Sequence, residues 1–116
     1  MEKVKVTWKG VEYNLVFNLN VMEEIQEEYG SIEAWGELTD NEKEPNAKAV
    51  KFGLTAMINE GIDLDNEEYA NVEGYVPKRF LTTKQVGRLL TDVGMEEATQ
   101  RLNDTVINAV KTDEKN

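Results

Sequence analysis

The fifteen residues from Ala47 to Gly61, AKAVKFGLTAMINEG, constrain the fold more than any other stretch. At 3.6 residues per turn, Ala47, Val50, Leu54, Met57 and Ile58 fall on one stripe, while Ala49, Phe52, Gly53 and Ala56 cover much of the other side. Only Lys48, Lys51, Thr55 and Asn59 leave a narrow polar edge. A helix apolar on nearly every side needs neighbours on nearly every side, so this one is expected at the centre with the other elements around it. A chain of 116 residues with 40% apolar content holds material for one such core, and therefore for one domain.

The N-terminal residues follow a different period. Val4, Val6 and Trp8 alternate with Lys3, Lys5, Thr7 and Lys9, and Val11, Tyr13, Leu15 and Phe17 alternate with Glu12, Asn14 and Val16. A period of two marks strands. Placing Lys9-Gly10 in a two-residue turn sets Trp8 against Val11, Val6 against Tyr13 and Val4 against Leu15, so the apolar residues share one face. A lone hairpin is marginal, and this face is expected to rest on helices.

Asn20 is read as the cap of a first helix, with Glu23 at its third position and Val21, Met22, Ile25 and Tyr29 on its apolar face, ended by Gly30. Its other face carries Glu23, Glu24, Glu27 and Glu28. Their i,i+4 pairs repel by about 0.2–0.5 kcal/mol each, and the sequence reads them as a solvated face. Ser31 caps a short helix through Ile32, Ala34, Trp35 and Leu38. The polar run TDNEKEP follows, and Pro45-Asn46 mark the start of the central helix.

Beyond Gly61, GIDLDNEEYANVEGYVPKRF reads as a long loop with a short helix around Glu67 to Asn71. Its alternating Asp63, Asp65 and Glu67 resemble the opening of a calcium loop. Glu68 stands where that loop needs glycine and Gly74 where it needs a bidentate glutamate, so no metal site is expected. LTTKQV then supplies a capping box, Thr82 with Gln85, and a staple from Leu81 to Val86. A helix from Thr83 to Val93 closed by Gly94 is expected, then a last helix from Met95 to about Lys111 with Met95, Ala98, Leu102, Val106 and Ala109 on one stripe. The predicted fold is α+β and mainly α: an N-terminal β-hairpin packed on about five helices as one domain over 1–111, with a disordered polar tail over 112–116. Phe17, Val50, Leu54, Met57, Leu89 and Leu102 are expected to share its core.

Chemistry is scarce. The chain has no cysteine and no histidine, which removes thiolate sites, the commonest general base and the commonest metal ligand. Ser31, the only serine, has no base to activate it and a capping role that accounts for it. No glycine-rich loop precedes a helix with lysine. No catalytic residue, metal or cofactor is therefore expected. A net charge of −10 opposes binding to nucleic acid, and no hydrophobic run suggests a signal peptide or a membrane span. A soluble, cytoplasmic binding or assembly protein is the expectation.

One family carries these patterns together. A hairpin strand ending in phenylalanine, the acidic helix NLNVMEEIQEEYGS, the apolar helix LTAMINEGI and the threonine-capped LTTKQVGRLL resemble the tail assembly chaperones of long-tailed bacteriophages and prophages over about residues 4–110. The resemblance implies a non-enzymatic protein that binds the tape measure protein, keeps it soluble, and is displaced as the tail tube polymerises. It also implies a longer form, made by frameshifting, that recruits the tail tube protein. The alternatives are another small phage structural or interaction protein, or an acidic inhibitor of a basic host protein. The candidate partner-binding residues come from the patterns themselves. Ile107 lies about 100° from Val106 and faces away from the stripe of the last helix. Trp35 sits in a short helix beside a polar loop, where tryptophan often anchors a partner. A second protomer in a homo-oligomer, or the 61–80 loop, is the competing cover for both.

Overall fold

A computed structural model describes residues 3–40 and 44–114. Two strands, β1 (Lys5–Trp8) and β2 (Val11–Asn14), precede five helices: α1 (Leu19–Tyr29), α2 (Ile32–Thr39), α3 (Ala47–Glu68), α4 (Thr83–Val93) and α5 (Met95–Glu114). The architecture is α+β and mainly α, as the periodicities predict.

The hairpin has the expected register, with Trp8 opposite Val11 and Val6 opposite Tyr13. The Leu15 amide donates to the Val4 carbonyl at 2.9 Å, so the third apolar pair also forms. Lys9 and Gly10 both have positive φ, 51° and 76°, the twist that matches right-handed strands. Val6, Trp8, Tyr13 and Leu15 are buried against the helices, and the Val16 amide reaches the Met57 carbonyl in the middle of α3.

α3 is the centre. It packs against α1, α2, α4, α5 and β2. Val50, Leu54, Met57 and Ile58 are fully buried. Leu89 and Leu102 join them in one cluster, whereas Phe17 is only partly buried and packs against that cluster. Two glycines let neighbours come close. A Cβ on Gly61 would fall on the Asn14 carbonyl oxygen, and one on Gly53 would strike the Trp35 ring.

Three boundaries differ from the sequence reading. Asn18, not Asn20, caps α1, its side chain accepting from the Val21 amide at 3.2 Å. Asn20 lies within the first turn and donates to Glu60 instead. α3 runs seven residues past Gly61, because Ile62 and Asp65 continue its buried stripe; the region read as a loop is helical to Glu68 and turns only after Tyr69. Asp65 is tolerated there because Lys78 pairs with it at 3.2 Å and Asn14 donates to it. α5 continues to Glu114, into the stretch expected to be a disordered tail; residues 115–116 lie outside the described residues.

The other termini are as the local signals predict. Ser31 accepts from the Ala34 amide, Asn46 from Ala49, and Thr82 and Gln85 form the reciprocal box. Gly30 ends α1 with φ 86°.

Candidate binding surfaces

Of the troughs between helices, one mainly apolar and one acidic bear on binding. The first lies between α2 and α5. Its volume is about 560 Å³, and Ile32, Trp35, Gly36, Val106 and Ile107 contribute to its lining, with Glu33, Glu37 and Asp40 among the remaining wall residues. Both candidate residues border it, but not alike. Ile107 is 49% exposed, as its helical phase predicts. Trp35 is 1% exposed and is not the surface anchor that its place beside a polar loop suggested. Gly53 leaves room for the indole, whose Nε1 donates to the Ala49 carbonyl at 3.0 Å while the ring stacks on Phe17. The cover comes from the chain's own central helix.

The second trough, about 540 Å³, runs between α1 and α3 towards the start of α4. Glu24, Glu27 and Glu28 face it from α1, Glu60 and Asp63 from α3. Phe52, Ala56 and Phe80 supply its apolar lining. Among the described residues no lysine or arginine pairs with any of these five carboxylates. Asn18 and Asn20 donate to Glu60 at 2.6 and 3.1 Å. Partial burial, with Glu60, Glu27 and Glu23 adding repulsion, raises the Glu24 pKa above its ordinary value. Tyr29 supports this wall by meeting Phe52 edge to face at 5.6 Å.

Phe80 is 59% exposed, yet its backbone is tied down on both sides. The Asn59 side chain donates to the Leu81 carbonyl at 2.9 Å and accepts from the Leu81 amide at 2.8 Å. Asn66 does the same for Lys78, both at 2.9 Å, and also accepts from the Tyr75 hydroxyl at 2.6 Å. Lys78 extends the tie by donating to the Glu12 carbonyl at 3.0 Å. Two asparagines about two turns apart on one face of α3 thus imitate a strand partner for an extended segment. They hold a phenylalanine outward at the rim of the acidic trough.

Sequence reasoning placed the α1 glutamates correctly but treated them as a solvated face. Phe52, Thr55, Ala56, Asn59 and Glu60 lie within the predicted helix, but local periodicity does not show that they face α1, and ending that helix at Gly61 left out Asp63. With the helix continued to Glu68, Asp63 joins these five at helical spacing as one stripe.

Ser31 is occupied as a helix cap. Among the described residues no group of three or more acidic, histidine or cysteine side chains is placed to hold a metal ion, and no helix is long and apolar enough to cross a membrane. Comparison with family models, characterised proteins and solved structures finds no match for the chain.

Proposed function

We propose that this chain is a non-enzymatic tail assembly chaperone. In this reading it binds the long helical tape measure protein in the host cytoplasm, keeps it soluble, and yields it as the tail tube polymerises, while a frameshifted longer form recruits the tail tube protein. Support comes from the resemblance of the hairpin, the acidic helix and the two later helices, and from a surface built for contact rather than chemistry.

The observation that carries the reading is the trough between α2 and α5. Ile107 and Val110, 49% and 47% exposed and three residues apart on α5, present apolar surface at that side of the molecule. A β-branched residue gains nothing from facing water, and covering the exposed half of each such side chain on binding contributes about half of the roughly 1.5–3 kcal/mol of full burial. A client helix laid against α5 would cover both.

The experiment is co-expression with a phage tape measure protein, the client this reading requires. Ile107→Asp is expected to fold, since the side chain lies outside the core, and to leave the client insoluble. A folded Ile107→Asp variant that still keeps the client soluble removes this surface from the proposal. Failure of the wild-type chain to solubilise the client removes the chaperone reading itself.

A further inference from the structure

We infer that the acidic trough between α1 and α3 binds a cationic amphipathic helix of another protein, which seats apolar side chains on Phe52 and Phe80 and sets Lys or Arg against Glu24, Glu27, Glu28 and Asp63. The site is separate from the α2–α5 surface and does not depend on the tail-assembly reading.

Its first support is charge without a counterpart. Five carboxylates from two helices line one trough, and the chain spends none of its described cations on them. Asp65, two residues from Asp63 and facing the other way, is matched by Lys78. The fold therefore neutralises an acid where packing needs it and, among the described residues, sets no lysine or arginine against the trough acids. Opposing charge across an interface steers encounter and fixes register, and a cationic partner is the complement this trough lacks.

The second support is the apolar lining. A purely solvated acidic face has no use for an exposed phenylalanine held on both sides by asparagine ties. Fixing the backbone on both sides of Phe80 lowers the entropy lost when a partner covers it, which is how a pre-organised anchor gains affinity. Aromatic lining flanked by like charges matches an amphipathic helix with an apolar stripe between basic residues, one of the recurring modes of helix-in-groove recognition. The volume, about 540 Å³, suits the side chains of one or two helical turns rather than a whole domain.

Other occupants fit less well. Nucleic acid shares the sign of the trough. A second copy of this chain carries a net charge of −10, and of its N-terminal lysines Lys5 pairs with Glu12 while Lys9 lies over the Trp8 ring at 4.9 Å.

The test uses the purified full chain and a synthetic peptide of about 18 residues, leucines on one helical face and lysines beside them, with a glutamate-for-lysine version as control. Calorimetry is expected to show saturable binding of the lysine peptide alone, weakened about tenfold as salt rises from about 0.05 to 0.3 M. Phe80→Ala and the double change Glu24→Lys with Glu27→Lys are each expected to weaken it at least about fivefold. The remote pair Glu73→Lys with Glu96→Lys, equal in charge change, is expected to stay within about twofold. All five positions are exposed, so circular dichroism should show each variant folded. Equal loss from the remote and trough reversals would reduce the binding to general electrostatics and overturn the site. So would no binding, or a concentration-dependent dimer broken by Phe80→Ala, which would give the trough to a second copy.

Discussion

On one side of α3, Val50, Gly53, Leu54 and Met57 are sealed beneath the hairpin, Trp35, α4 and α5; on another, Phe52, Asn59, Glu60 and Asp63 line a trough that stays open. The same helix closes one face with glycines that admit an indole and a strand backbone. It keeps the other open with carboxylates that repel each other and an asparagine that pins the rim. The closed face fixes the fold, and the open face costs some stability by crowding charge. The difference separates residues such as Leu54, whose loss is expected to unfold the chain, from trough residues such as Phe80 and Glu24, whose loss is expected to change mainly what it can bind.

The sharpest break of that comparison is Leu54→Ala. Fully buried at the centre of the closed face, this change is expected to cost about 2–5 kcal/mol in denaturant unfolding. A loss below about half a kcal/mol would show that α3 is not the core. Gly61→Ala comes next. Helix propensity favours alanine by about 1 kcal/mol, but the new methyl meets the Asn14 backbone, for a net loss of about 1–3 kcal/mol. A net gain would mean that the hairpin does not sit tightly on α3.

The open face should respond no more strongly than Gly61, and at Glu24 far more weakly. Asn59→Ala strips both partners from the Leu81 backbone and is expected to cost about 1–3 kcal/mol, with faster amide exchange at Leu81 as the local sign. Glu24→Gln should have the smallest effect and the opposite direction. The folded state raises this carboxyl above its ordinary 4.5, so the charged form destabilises the fold and the penalty is complete above the raised pKa. Removing the charge should therefore raise the melting temperature slightly at neutral pH. The gain should shrink as pH falls through the folded pKa and vanish below about 4.5, where the wild-type carboxyl is protonated in both states. A pH-independent gain would place its cause elsewhere.

The closed face was legible in the sequence and the open one was not, for a physical reason. Hairpin register, the Thr82–Gln85 box and the apolar stripe from Val50 to Ile58 are set by neighbours a few residues apart, and each appears where the pattern puts it. The trough depends on distant pairs. Asn59 binds Leu81 and Asn66 binds Lys78, neither of which a local period records. Gly61 misled the reading most, since a glycine before four acids looks like a stop. Here it makes room for a strand. Trp35 erred in the same way: its polar surroundings in sequence gave no sign that Gly53, eighteen residues on, makes room for its ring.

The division of α3 into a sealed and a receptive face is tested most directly by amide chemical shifts of the full chain titrated with the leucine–lysine peptide. The account predicts that Glu24, Glu27, Asn59, Asp63 and Phe80 shift together along one saturable curve while Val50, Gly53, Leu54 and Leu102 stay still. Shifts centred on the sealed residues, or spread evenly over every acidic surface, would contradict it.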